Sequence, residues 1–166
     1  MKKLALLVLS LVAAVTVSNA QVCALKSNAL TIAVGSVNLG AEFSVAPQWT
    51  VDVSGTAVIA NPWKNLKVNG WDAVLEGRYY FCRAFNGHHV GGFVQAARYG
   101  ETDFPNGDKS INDKVLGLGV SYGYYLKLNT FWGLDLNAGA GVGYELENNN
   151  GLRFLPRLQA SFSYKF

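Results

Sequence analysis

The chain has 166 residues, 50% of them hydrophobic, with 18 glycines, 4 prolines and 2 cysteines. Its 14 basic and 11 acidic residues give a formal charge of +3, and no basic patch interleaves with base-stacking aromatics, which argues against a nucleic-acid partner. Abundant glycine with scarce proline suits strands joined by tight turns rather than a disordered tail, and with no linker or low-complexity segment the chain reads as one domain.

Residues 1–20 open with Lys2 and Lys3, continue with an apolar stretch from Leu4 to Val17, and end in Ser18-Asn19-Ala20. These are the three regions of a secretory signal peptide, with cleavage expected between Ala20 and Gln21. The apolar stretch falls short of the roughly 20 residues a membrane-spanning helix needs. Val22, where a small residue would precede a lipidated Cys23, argues against a lipoprotein. Without Lys2 and Lys3 the expected mature chain, 21–166, holds 12 basic against 11 acidic residues, a net of +1. It would enter an oxidising compartment.

Beyond the signal, alternation of apolar and polar residues recurs between turn residues. Strands are expected near 23–33, 38–46, 49–59, 71–82, 89–100, 114–127, 131–146 and 153–166. Lengths of about ten residues are those of tilted transmembrane strands. An even number puts both termini on the periplasmic side, with short turns at Pro47-Gln48, Ala84 to Gly87 and Leu128 to Thr130. Longer outer loops are expected at 60–70 and 101–113, and an unusually short one near Gly35.

The fifth strand resists a single register, because Gln95 and Arg98 have opposite parity; a β-bulge near Gly91-Gly92 or Ala96-Ala97 is expected. The sixth sets Leu116, Leu118, Val120, Tyr122, Tyr124 and Leu126 against Gly117, Gly119, Ser121 and Gly123. The seventh sets Trp132, Leu134, Leu136 and Val142 against Gly133, Asp135, Asn137 and Gly139. A face of glycine, serine and asparagine makes a poor solvated surface but fits a narrow polar lumen, so the apolar face is expected to meet lipid. Aromatics gather towards strand ends, as at membrane interfaces: Trp49, Tyr79, Phe81, Tyr124 and Trp132 at one side, Trp63, Trp71, Tyr99, Tyr144 and Phe154 at the other.

The last strand carries Pro156, expected at a bulge or towards the outer rim. It closes with Leu158, Ala160, Phe162, Tyr164 and Phe166 on one face and Arg157, Gln159, Ser161, Ser163 and Lys165 on the other. A chain ending on an aromatic after such alternation resembles the signal read by the outer-membrane barrel assembly machinery, with Phe162, Tyr164 and Phe166 as its carriers.

On this parity the lumen holds Lys26, Glu42, Asp52, Asp72, Glu76, Arg78, Asp135 and Arg157, with Arg98 as a further candidate. An eight-stranded barrel is just wide enough to be filled by its own side chains, so these charges are expected to plug it rather than line an ion path. The only histidines, His88 and His89, fall at the start of the fifth strand near the periplasmic rim. Interfacial or turn-anchoring roles suit them better than a catalytic dyad, so no enzyme is expected. The acidic residues Glu101, Asp103, Asp108 and Asp113 lack EF-hand spacing, and no metal or cofactor is expected. Cys23 and Cys82 sit on roughly opposite strands, favouring two free thiols, although the compartment favours a bridge.

The segments ALKSNAL, NLGAEFSVAPQWTVDVSG, NPWKN, LEGRYYFCRAFNGHHVG, GLGVSYGYYLKL and FWGLDLNAGAGVGYE occur in this order. Together they resemble a family of small Bacteroidetes outer-membrane barrels of unknown function, most specifically at Arg78 to His88. The resemblance implies a porin-like or adhesion-type eight-stranded antiparallel transmembrane barrel in the bacterial outer membrane. It implies no catalytic residue; relatives associated with fimbrial gene clusters make a surface or fimbrial partner conceivable, beside outer-membrane lipids. The expected role is structural, adhesive or surface-interactive. The alternatives are a lipid-modifying enzyme of the outer membrane and a secreted soluble barrel binding a small apolar ligand.

Overall fold

Two-residue alternation is realised as a wall of strands closed on itself. The computed structural model describes residues 23–59, 69–100, 113–146 and 151–166. The expected signal with Ala20 and Gln21, most of the loops at 60–70 and 101–113, and the side chains of Trp63, Tyr99 and Asp113 lie outside the described residues. The strands are β1 (Cys23–Asn28), β2 (Ser36–Ala46), β3 (Trp49–Val58), β4 (Asn69–Tyr80), β5 (Gly87–Gly100), β6 (Asp113–Lys127), β7 (Trp132–Glu145) and β8 (Leu152–Lys165). Each pairs antiparallel with the next, and β8 pairs with β1 to close an eight-stranded barrel. No described helix is long and apolar enough to cross a membrane.

One rim, the turn end, carries Phe166 and the short connections. Asn129 builds one of them, its side-chain oxygen accepting from the amides of Phe131 (2.8 Å) and Trp132 (2.7 Å). Another folds inward. In the β4–β5 turn Phe85 adopts φ 61° and Gly87 φ 74°. The Ala84 amide donates to the Pro47 carbonyl of the neighbouring turn at 2.8 Å. This seats the buried Phe85 ring over the barrel mouth against Tyr80 and Tyr125, at centroid distances of 6.2 and 5.7 Å. Left-handed backbone at a bulky residue is strained and persists only where its surroundings hold it.

Outward positions are mostly apolar: Leu25, Leu39, Val53, Leu75, Val94, Leu118, Val120, Leu136 and Leu158 are all exposed. At the turn end the outer face carries ring clusters, Trp49–Tyr79–Phe81 and Trp132–Tyr164–Phe166, with successive centroids 5.0–6.0 Å apart. Trp71, Tyr144 and Phe154 are exposed towards the opposite rim, the loop end.

Four expectations need correction. The first strand does not run to residue 33: it stops at Asn28 and is followed by a one-turn helix, α1 (Ala29–Ala33). The cause is parity. Ala24, Lys26 and Asn28 point inward, and a continued strand would drive Leu30, Ile32 and Val34 into the polar lumen, whereas the helical turn leaves all three exposed. Second, β5 contains no bulge, for its registers with β4 and β6 run without interruption. Third, that register turns Arg98 outward, where it is exposed, so it is not a lumen residue. Fourth, the histidines do not both lie at the interface: His88 is outside, 2.7 Å from the Tyr122 hydroxyl, while His89 is fully buried inside. The irregularity that does occur lies between Ser44 and Ala46, opposite β3.

Pro156 occupies no bulge and pairs in register with Ala140 towards the loop end. The amides of Phe166 and Ala160 point towards β1, whereas that of Lys165 points to the Phe131 carbonyl on the β7 side. Even-numbered nitrogens of β8 therefore face β1. Because β1 ends opposite Ser161, the nitrogen of Pro156 meets an edge with no strand beside it. Proline there removes no ladder bond.

Candidate functional site

Alternation on six strands delivers the charged side chains to one level of the interior. Lys26 comes from β1, Glu42 from β2, Asp52 from β3, Glu76 and Arg78 from β4, Asp135 from β7 and Arg157 from β8. Glu42, Glu76, Arg78 and Asp135 are fully buried, Lys26 and Asp52 nearly so. The expected set is thus assembled in one place, save Arg98; Asp72, also inward, lies nearer the loop end.

Lys26 Nζ lies 2.7 Å from Glu42 Oε2 and 3.0 Å from Asp52 Oδ2, and donates to Asp135 Oδ2. Arg78 shares two of these acids and adds a fourth: Nη1 is 3.1 Å from Glu42 Oε2 and 2.7 Å from Asp135 Oδ2, while Nη2 is 3.0 Å from Glu76 Oε2. Arg157 Nη1 completes Glu76 at 2.9 Å, its guanidinium 5.1 Å from the centre of the Phe93 ring. Neutral donors serve the second oxygens of Glu42 and Glu76. Thr50 (2.6 Å) and Tyr80 (2.8 Å) donate to Glu42 Oε1, and Ser121 (2.5 Å) and Asn137 (3.1 Å) to Glu76 Oε1. Burying charges is costly, and only such mutual pairing with further hydrogen bonds offsets it.

Apolar side chains flank this level on both sides, and towards the loop end they share the interior with buried Asn38, Ser54 and Glu145. Towards the turn end lie Ala24, Tyr80, Phe85 and Tyr125. Towards the loop end lie Val74, Phe93, Ala97, Val115 and Leu155, all buried and inward. The glycines of β6 and β7 make room for them. A Cβ on Gly119 would come within 2.5 Å of Phe93 Cζ, and one on Gly123 within 2.5 Å of His89 Nε2. A Cβ on Gly143 would lie 2.6 Å from Val115 Cγ1. The glycine face is filled by large side chains from elsewhere in the wall.

Sequence reasoning put Ser121 and Asn137 on the lumen face without joining them to the charges, and it missed His89, Tyr80 and Thr50 as members of this level. It also missed Asn28, whose Oδ1 accepts from the amides of Leu30 and Ala160, both at 3.1 Å, while its own amide donates to Asn38 Oδ1 at 3.1 Å. Strict parity from Asp135 and Arg78 would have found most of them. Phe162, Tyr164 and Phe166 all face outward at the turn end, where the Phe166 amide bonds the Cys23 carbonyl at 2.9 Å. Cys23 and Cys82 are both free thiols. Among the described residues no group of three or more His, Cys, Asp or Glu is placed to hold a metal ion.

The fold is similar to that in the crystal structure of Neisserial surface protein A (NspA), with a TM-score of 0.50 and 20% sequence identity over 88% of this chain and 95% of that one. No curated protein matches the sequence. The family model described as "Protein of unknown function (DUF3575)" matches residues 5–154, and the chain belongs to that family.

Proposed function

We propose that the protein is a non-conducting, non-enzymatic barrel of the bacterial outer membrane, with a structural, adhesive or surface-interaction role. The observation that carries this reading is the inversion of a soluble barrel: apolar side chains cover the outside while the ion network fills the inside. Hydrocarbon is the solvent that suits such an exterior, and a closed barrel leaves no unpaired sheet edge but the short one beside β1. The likeness to a neisserial surface protein and the resemblance to Bacteroidetes barrels agree with it. Partners on this reading are outer-membrane lipids, the assembly machinery meeting Phe162, Tyr164 and Phe166, and a surface or fimbrial protein at the loop end.

Two features support the absence of solute passage and of catalysis. The interior is filled by paired charges with large apolar side chains packed on both sides of them. His88 bonds Tyr122, and His89 sits beside Asp135 with no serine or cysteine within hydrogen-bonding reach among the described residues. The decisive experiment fractionates cells and compares boiled with unboiled protein by electrophoresis, then records currents across planar bilayers. An outer-membrane band that shifts on boiling, without single-channel currents, is the expected result. Protein found soluble and unshifted would favour a secreted ligand-binding barrel; discrete currents would refute the plug.

A further inference from the structure

The two rims carry their charges differently. At the loop end both signs occur: Asp72 and Glu145 stand with Arg98, Lys114 and Arg153, and the sequence of 101–113 adds Glu101, Asp103, Asp108 and Asp113 against Lys109. At the turn end Arg83, Lys127 and Lys165 have no acidic side chain beside them, because the turns at 47–48, 81–86 and 128–131 contain neither aspartate nor glutamate. A terminal carboxylate on Phe166 would offset one of the three. Arg83 lies in a braced turn: Gln48 Nε2 donates to the carbonyls of Phe81 at 3.1 Å and Cys82 at 3.2 Å, and Arg83 bridges to Asn86. The Lys165 amide donates to the Phe131 carbonyl at 2.7 Å, and its Nζ lies 5.9 Å from the centre of the Phe85 ring. Lys127 ends β6 near enough for its charge to act on Lys165. Beside these cations the outer face is ringed by Trp49–Tyr79–Phe81, by His88 with Tyr122 and Tyr124, and by Trp132–Tyr164–Phe166.

We propose that the turn end docks on anionic phospholipid headgroups, with the phosphates of one leaflet facing Arg83, Lys127 and Lys165 while the rings beside them fix the depth of the barrel. The inference deepens the membrane reading above and rests on it. Two observations commit the surface to lipid. The rings mark an interface, since Trp, Tyr and His pair an apolar body with a polar tip and collect where hydrocarbon meets headgroups. The cations stand at that same rim, and each Lys or Arg near an anionic leaflet strengthens the attraction up to about fivefold. Lys165 leans over the mouth rather than the wall. Direct contact is not required, because the attraction acts across a Debye length, about 8 Å at physiological ionic strength. The mixed charges of the loop end give no such preference, so the field of the barrel has a direction along its axis.

The test reconstitutes the refolded full chain in phosphatidylcholine bilayers holding a trace of spin-labelled phosphatidylglycerol or spin-labelled phosphatidylcholine. Electron spin resonance then gives the fraction of each label immobilised at the barrel wall. Phosphatidylglycerol should associate about two- to fivefold more strongly at low ionic strength. Sodium chloride at about 1 M, where the Debye length is about 3 Å, should erase the preference. The triple variant Arg83→Gln, Lys127→Gln, Lys165→Gln should lose it as well, whereas Arg98→Gln with Lys114→Gln at the loop end should keep it. Should the triple variant fail to fold, Lys127→Gln alone and the wild-type salt series decide, and a preference that survives both overturns the proposal. Equal association of the two labels overturns it too and leaves the basic rim to an acidic protein partner. A preference lost in sodium phosphate but kept in sodium chloride of equal ionic strength would mark a discrete anion site, and that also overturns it. Failure of the membrane reading itself would look different: no immobilised label of either kind, and no band shift on boiling.

Discussion

The interior has two unlike walls. Strands β1 to β4 supply Lys26, Glu42, Asp52, Glu76 and Arg78, long polar side chains that reach across the lumen. Strands β6 and β7 supply mostly glycine, Gly117, Gly119, Gly123, Gly133, Gly139, Gly141 and Gly143, with Ser121, Asp135, Asn137 and Glu145 as the polar exceptions. Neither wall would work alone. Two charged walls would overfill the barrel and multiply the desolvation cost, while two glycine walls would leave a void. The lesson is that a small-residue face on a narrow barrel marks where the opposite wall and its neighbours deposit their bulk.

The charged wall should break first. Arg78→Met removes the guanidinium that contacts Glu42, Glu76 and Asp135 together, leaving buried carboxylates short of a cation. Breaking a buried pair on one side costs about 3–5 kcal/mol, and here the side chain serves three acids. The expected outcome in detergent is loss of the compact unboiled band, or a collapse of the urea midpoint.

The glycine wall should fail for the opposite reason, excess volume. A Cβ on Gly119 meets the Ala140 carbonyl oxygen at 2.5 Å and Gly141 Cα at 2.6 Å as well as Phe93, and backbone cannot swing aside. Gly119→Ala should therefore lower stability by about 1–3 kcal/mol in urea unfolding. Gly92 is the control: it faces outward, with nothing within 4 Å of its added Cβ. Gly92→Ala should stay within about 0.5 kcal/mol of wild type.

Alternation alone made the barrel, its strand number and most of its interior charges legible, because a period of two sorts residues onto faces without reference to tertiary contacts. It failed where a contact across the lumen decides. Gly133 looked like a polar-lumen residue, yet its bare backbone accommodates the Tyr125 ring. Phe93 and Leu155 lie on the polar parity but are apolar, and only glycines opposite let them in. His89 was set aside with His88 because adjacency in sequence suggested one shared environment, whereas neighbours on a strand face opposite ways. The end of β1 was legible but overlooked: the apolar set moves from Leu25 to Leu30, Ile32 and Val34, switching parity across Asn28.

The two walls meet at the β8–β1 closure, where smaller effects should sharpen the picture. Asn28 joins β8, α1 and β2 through three hydrogen bonds, and no sequence period signals it. Asn28→Ala leaves the Ala160 and Leu30 amides without their acceptor. The expected loss is about 1–2 kcal/mol, the scale of a lost helix cap, and amide exchange should accelerate at Ala160 before it does at Glu76.

Pro156 should matter least, which makes it a sensitive test of the closure. In an ordinary ladder position proline forfeits a hydrogen bond, and replacing it would stabilise the sheet. Here its nitrogen faces the edge that β1 leaves uncovered, so Pro156→Ala gains an amide with no strand to receive it. The expected change in unfolding stability is within about 0.5 kcal/mol. Gln159→Pro, one of the odd positions whose amides face β7, should cost more, since it removes a bond from the Asn137–Gln159 pairing. A clear gain from Pro156→Ala would mean that a strand covers that edge in the folded barrel, and β1 would then have to extend past Asn28 at the expense of α1.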